Sequence, residues 1–184
     1  MNTRNSVYLG CSLDGYIAGP NGELDWLDII PNPEGSDMGY VAFMEQVDAL
    51  LMGRKTFETV LGFDVDWPYT KPVYVWSRTL EEIPASHEGK AFLVKGGVAE
   101  ILEQIHAQGH YSLYIDGGQT VQSFLQADAI DDLTISTLPI LLGDGVPLYG
   151  KLSESHRFEL ISSTVHLGQI VQNHYRRLRS TAVE

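Results

Sequence analysis

DALLMGRKTFE, residues Asp48 to Glu58, is the stretch on which the reading of this chain turns. Its apolar run, Ala49 to Met52, is short and bounded, the form of a strand buried on both sides rather than a helix. Gly53 then lets the backbone bend and come close to a ligand. Arg54, Lys55 and Thr56 follow at the start of a helix-like segment. The free N–H groups of a first helical turn, two basic side chains and a hydroxyl together offer donors to an anion such as phosphate. An ordinary strand-to-helix turn with solvated basic residues has the same pattern, so the reading depends on what the rest of the chain adds.

Two later strand ends add to it. VYVWSRT (73 to 79) ends in Ser77 and Arg78, and LYIDGGQTV (113 to 121) ends in Gly117 and Gly118 before Gln119, Thr120 and another helix. In an open α/β sheet the carboxyl ends of parallel strands lie along one rim, so three such ends can serve one extended ligand with several phosphates. A dinucleotide fits that description. The glycines do not form GxGxxG, and no GxxxxGK[ST] is present, so neither the Rossmann fingerprint nor a P-loop is implied.

The chain has 184 residues, enough for one sizeable core and short for two domains, and it reads as a single domain over 1–184. No apolar run approaches membrane-spanning length. The first residues, MNTRNSVYLG, lack the pattern of a secretory signal, which predicts a cytoplasmic protein. Net charge is −12, which argues against nucleic acid or anionic membrane as partner. Against that acidic body, Arg54, Lys55 and Arg78 make local positive sites suited to a small anion. The lone cysteine, Cys11, excludes an internal disulfide and is expected to lie buried in the first strand. Six scattered histidines show no metal-ligand spacing, and no metal is expected.

Along the chain, SVYLGCS (6 to 12) predicts a first strand, and the Gly- and Asp-rich segment 13 to 27 a loop with several turns. Ile17 and Ala18, apolar inside that loop, suggest that it folds back, either over a ligand or as a latch on the core. Asp37 precedes apolar positions 38, 41, 44 and 47, a helical spacing. Capping that helix is enough to explain it, and a helix mouth facing the sheet edge would also present its carboxylate to a substrate. A short helix over 56 to 61, strands at 73 to 76 and 91 to 94, a helix from Val98 to Gln108 stopped by Gly109, a strand at 113 to 116 and a helix at 119 to 125 complete the α/β alternation. Gly96-Gly97 reads as helix-start geometry. From Asp131 the pattern changes to strands, and RFELISSTV and QIVQNHYRRL, joined by His166-Leu167-Gly168, predict an antiparallel hairpin. GDGVPLY (143 to 149) reads as structural punctuation, and Arg176, Arg177 and Arg179 as a solvated terminal strand.

Taken together, SLDGYIAG (12 to 19), LDWL (24 to 27), DALLMGRKTFE, the strand ending in Ser77-Arg78, YIDGGQTVQSFL (114 to 125) and LPILLGDGVPLY (138 to 149) resemble the dihydrofolate reductase-like superfamily. Within it they are similar to the C-terminal reductase domain of the bifunctional riboflavin deaminase-reductase. The resemblance covers nearly the whole chain, and MGRKTFE is its most specific piece. It implies a three-layer α/β fold: a mixed, mainly parallel sheet, helices on both faces and an antiparallel C-terminal hairpin. It implies an NADPH-dependent reductase acting on a small heterocyclic or pyrimidine-type substrate, and a homodimer. Gly53, Arg54, Lys55 and Thr56 would hold cofactor phosphates, with Ser77 and Arg78 near the adenosine 2′-phosphate. Gly117, Gly118, Gln119 and Thr120 would follow the pyrophosphate, and Ile17 and Ala18 the nicotinamide. Counting back from GRKT, Asp37 falls where dihydrofolate reductases carry the substrate-binding carboxylate, and Ser136 would be a further polar contact to substrate. The surrounding IPNPEGSDMGY does not match the folate enzymes, and the zinc-binding residues of the attached deaminase domain are lacking. Two readings therefore stand beside the pyrimidine-type reductase: dihydrofolate reduction, and a noncatalytic nucleotide-binding module.

Overall fold

Residues 3–179 are described by a computed structural model of the chain. An eight-stranded sheet is its spine, with strand order β5-β4-β3-β6-β1-β7-β10-β9. The parallel strands are β1 (Arg4–Cys11), β3 (Ala49–Gly53), β4 (Val73–Trp76), β5 (Ala91–Val94), β6 (Ser112–Asp116) and β7 (Asp132–Thr137). The hairpin of β9 (Phe158–His166) and β10 (Ile170–Arg177) closes one side, with β10 antiparallel to both β7 and β9.

Chain direction assigns the helices to faces. From β1 the chain passes through α1 (Tyr40–Met44) to β3, and through α2 (Arg54–Leu61) to β4, moving toward the β5 edge. It then reverses through α3 (Val98–His106) to β6 and α4 (Gly118–Gln126) to β7. Right-handed crossovers running in opposite directions must lie on opposite faces. The core shows the split at single-residue spacing. Leu50, Met52, Val73, Val75 and Tyr114 pack with Phe57 of α2 and against Tyr40 and Phe43 of α1. Their strand neighbours Ala49, Leu51, Tyr74, Leu113 and Ile115 pack with Ile101 and Ile105 of α3 and Val121 and Phe124 of α4. Leu50, Leu51 and Met52 are all fully buried, which explains why this strand is apolar without alternation.

Several expectations need correction. The segment 13 to 27 is not wholly loop: β2 (Tyr16–Ala18) pairs antiparallel with β8 (Val146–Pro147), and a 3-10 turn spans Asp25–Asp28. GDGVPLY is therefore the partner of the latch as well as a turn. The helix expected after Asp37 shrinks to five residues, because Met38 (φ 53°) and Gly39 (φ 91°) take left-handed conformations and delay its start to Tyr40. Helix α2 starts two residues earlier than expected, at Arg54, which puts both basic residues in its first turn. The terminal arginines are not simply solvated. Arg176 reaches Asp132, Arg177 reaches Asp128 at 2.7 Å and Arg179 reaches Asp131 at 2.5 Å. Three aspartates at the start of β7 hold them, and residues 180–184 lie outside the described chain. Cys11 is buried in β1 as expected.

No helix among the described residues is long and apolar enough to cross a membrane.

Candidate active site

After β3 the chain turns to one face of the sheet and after β6 to the other, although the two strands are neighbours. Such a switch point opens a crevice beyond the strand ends, the usual ligand position in open α/β sheets. Helices α2 and α4 begin on its two sides. A Cβ on Gly117 would collide with Thr56 Oγ1, and one on Gly53 would stand 3.1 Å from Thr120 Oγ1. Each helix start thus touches the strand end that leads into the other. Gly117 also has φ +87°, a conformation that side chains resist. The sequence-predicted residues Gly53, Thr56, Gly117 and Thr120 therefore meet in one place.

Both helix mouths are open. Their N-caps, Gly53 and Gly117, make no side-chain capping bond, so the first-turn N–H groups of α2 and α4 are not occupied by a cap. Helix α3 differs: Glu100 turns back to accept the Gly97 N–H at 2.7 Å, placing its own carboxylate at that mouth. An anion is thus excluded at Gly96-Gly97 and accommodated at the other two. Two glycine-capped helix mouths side by side are a donor set suited to a pyrophosphate, so the residues present fit a phosphate-bearing dinucleotide.

The basic residues stand at one end of this crevice. Arg54 donates through Nε to Glu58 at 2.6 Å and through its terminal nitrogen to Thr79 Oγ1 at 2.9 Å, tying α2 to the loop after β4. The buried Ser77 hydroxyl accepts the N–H groups of Thr79 and Leu80 at 3.2 and 2.9 Å, which shapes that loop and leaves its hydrogen to donate. Lys55, Arg78 and Gln119 are exposed. At the other end, Ile17 and Val146 close over Gly118: a Cβ there would lie 3.2 Å from Ile17 Cδ1 and 2.9 Å from Val146 Cγ1. Ala18 is buried beside them in the β2–β8 ladder. Asp14 secures the latch, accepting the N–H groups of Leu142 and Gly143 at 3.1 and 2.8 Å.

Asp37 is exposed and accepts the N–H groups of Val41 and Gly39 at 2.9 and 3.0 Å, which hold its carboxyl below the usual range. It caps α1 and stays ionised. Buried Ser136 belongs to a nearby network: Gln172 Nε2 lies 3.0 Å from its hydroxyl, 3.1 Å from the Tyr8 hydroxyl and 3.2 Å from the Met38 carbonyl. Met38 adjoins Asp37, so the two expected substrate contacts sit in one neighbourhood without touching.

One residue was absent from the predicted set. Asp116 ends β6 on the α1/α2 face, two positions beyond Tyr114, and is partly buried. Burial pushes its carboxyl up to about 6, although the Gly117 N–H at 2.8 Å favours the ionised form. Burial first, and the Asp116 charge second, raise Tyr40 to about 12 and also raise Tyr69 and Tyr114, so three hydroxyls near it keep their protons. The signal in the sequence was the alternation in LYID, which puts a carboxylate on the face of a buried tyrosine at a strand's rim.

Comparison with known proteins agrees with this geometry. A solved protein from Shewanella sp. PV-4 named for riboflavin biosynthesis is 52% identical, with a TM-score of 0.93 over 96% of this chain and 99% of its own. The uncharacterized protein YwjB of Bacillus subtilis (strain 168) is 33% identical over 179 residues, 96% of this chain and 99% of YwjB. The diaminohydroxyphosphoribosylaminopyrimidine deaminase/5-amino-6-(5-phosphoribosylamino)uracil reductase of Thermotoga maritima shares the fold at 15% identity and a TM-score of 0.71, over 96% of this chain and 57% of that one. Residues 7–171 match the RibD C-terminal domain. With its mixed sheet, its switch-point crevice and that match, the chain belongs to the RibD C-terminal domain family, on the dihydrofolate reductase-like fold.

Proposed function

We propose that this protein is an NADPH-dependent reductase that delivers a hydride to a carbonyl or imine carbon of a small heterocycle. The substrate class is a pyrimidine like that of 5-amino-6-(5-phosphoribosylamino)uracil reductase. The observation that carries the reading is the pair of uncapped helix mouths, α2 and α4, meeting across the switch point. When bound, the reduced nicotinamide supplies the hydride. First-turn N–H groups after Gly53 and Gly117 bind the pyrophosphate, with the Thr56 and Thr120 hydroxyls beside them. Arg54, Lys55 and Arg78, with the Ser77 hydroxyl, favour a cofactor carrying the extra 2′-phosphate. Ile17, Ala18 and Val146 wall the far end and exclude water from it. The reduced heteroatom needs a proton, and Asp116, at about 6, is the carboxyl able to hold one near neutral pH. Asp37, which remains ionised, accepts a ring N–H of the substrate, and Ser136 supplies a second polar contact.

Arg78 has no ion-pair or hydrogen-bond partner among the described residues, whereas Arg54 is shared with Glu58. Arg78→Ala is therefore expected to weaken NADPH binding about 10-fold or more with little effect on NADH, and Arg54→Ala to do so less. Titration calorimetry with both cofactors measures this, and an unchanged NADPH-to-NADH preference in both variants would sink the phosphate assignment. A screen of aminopyrimidines, pterins including dihydrofolate, and simple carbonyls, followed by NADPH absorbance, tests turnover.

A further inference from the structure

We infer that the substrate of this protein carries an uncharged substituent where a phosphate or carboxylate tail would otherwise stand, and that a groove between α1 and the segment 62–72 receives it. The inference rests on the reductase reading above and narrows its substrate class. The groove has a volume of about 360 Å³. Val41 and Met44 of α1 form one wall, and Pro68 and Thr70, on the chain between α2 and β4, form the other. Tyr40 lines it as well, and Tyr69 stands between Pro68 and Thr70 in the chain. The charge of Asp116 acts on both phenols, so the groove continues outward from the carboxyl assigned to proton delivery.

The placement of charge decides what kind of substituent fits. Glu45 lines the groove, and Asp37 lies beside it, its carboxylate accepting the Val41 N–H at 2.9 Å. Lys71 is the one cation on the lining, and it is already engaged. Its ammonium donates to the Val47 carbonyl at 2.9 Å and its charge acts on Asp48, both at the amino end of β3 and away from the rim that holds Asp116. Every other Lys and Arg stands elsewhere. Arg4, Arg176, Arg177 and Arg179 pair with the aspartates at the start of β7. Arg54, Lys55 and Arg78 belong to the end of the crevice assigned to the 2′-phosphate. Lys95 follows the edge strand β5, Lys151 lies beside α4 on the opposite face, and Lys90 and Arg157 precede β5 and β9. A phosphate in the groove would therefore give up water for carboxylates and no free cation, which is costly. An apolar substituent avoids that cost and covers Val41, otherwise 60% exposed. The repulsive element sets the specificity.

Titration calorimetry in the presence of NADP+ tests this with three probes: 6-(benzylamino)uracil, 6-(ribitylamino)uracil and 6-(ribitylamino)uracil 5′-phosphate. The benzyl compound is expected to bind tightest. The comparison of the last two isolates the charge, and the phosphate is expected to weaken binding about 10-fold or more. Raising the salt concentration should narrow that gap, because it screens the repulsion. In Val41→Arg/Glu45→Lys the order of the last two probes should reverse. Both substitutions replace exposed side chains, and an unchanged circular dichroism spectrum verifies that the variant is folded. A wild-type protein that binds the phosphate as tightly as its unphosphorylated counterpart overturns the inference and leaves the reductase reading standing. So does a folded double variant that keeps the wild-type order. Binding of NADP+ with none of the three uracils overturns the pyrimidine reading and this inference with it.

Discussion

Asp116 and Gly117 are adjacent in sequence and opposite in what they demand of the fold. The folded protein raises Asp116 from its ordinary 3.8 to about 6, so between those values it binds a proton that the unfolded chain has released. With respect to this group, stability is full below about pH 4 and is lost as pH rises through about 6. Asp116→Asn removes the cost of the buried charge and is expected to stabilise the protein by about 1–3 kcal/mol near pH 8, with no comparable gain near pH 4. Urea unfolding at the two pH values measures the difference. If Asp116 delivers the proton, wild-type kcat falls as pH rises through about 6, and the variant gives a low, flat profile; a variant with full activity and the wild-type profile would remove Asp116 from the chemistry. Gly117→Ala meets two obstacles, its φ of +87° and the Thr56 hydroxyl. We expect a loss of about 1–3 kcal/mol. Thr56→Ala in the same chain should restore the steric part and leave the conformational part, a non-additivity that thermal melts of the single and double variants would display.

Among the elements, β10 illustrates how far a sequence pattern can be read. Its strand character and antiparallel direction follow from the hairpin signal, whereas the destination of its arginines does not. Asp132, 3% exposed, is ringed by Arg4 at 2.6 Å, His174 at 2.8 Å and Arg176 at 3.3 Å, which joins β1, β7 and β10 across the sheet. Burial pushes the Asp132 carboxyl up, but the bonds from Arg4 and His174, aided by the nearby arginine charges, together outweigh it and hold the group below its ordinary value. This contribution is present above about pH 4 and lost as pH falls through the depressed value. Asp132→Ala leaves the two guanidinium groups of Arg4 and Arg176 around an uncompensated site and is expected to cost about 3 kcal/mol at neutral pH, with the margin closing in acid. Chemical denaturation across pH would reveal that closure; a constant deficit at all pH values would contradict it. Helix α1 is shorter than its apolar spacing implies. Apolar spacing proposed ten residues, and two left-handed residues in front of it cut the helix to five.

For the molecule as a whole, two helical layers share one sheet, and the strands between them are buried on both sides. Phe57 anchors α2 on one face and Phe124 anchors α4 on the other, both essentially fully buried. Truncating either to Ala should cost about 3–5 kcal/mol. Because both layers rest on the same strands, each variant should still unfold in one step, with tryptophan fluorescence and far-UV circular dichroism coincident and the denaturant slope unchanged. Separate transitions for the two probes would show the faces to be independent folding units.

What the sequence determined by itself was local. Buried strands announce themselves by apolar runs, helix starts by glycine and hydrophobic spacing, and the hairpin by two strand-like runs across a Gly turn, because each signal is set by neighbours a few residues apart. The segments proposed to hold cofactor phosphates were legible on those terms, and their order along the chain placed them on one rim. Only the tertiary structure decided that Thr56 meets Gly117 and Thr120 meets Gly53, that Ile17 and Val146 close over Gly118, that Asp116 lies among tyrosines and that Asp132 collects two arginines and a histidine. Those partners are separated by tens to more than a hundred residues, and nothing in a short stretch of sequence encodes which distant surface will exclude water from a carboxylate. Burial and proximity are properties of the assembled sheet, and the chemistry of this site depends on both.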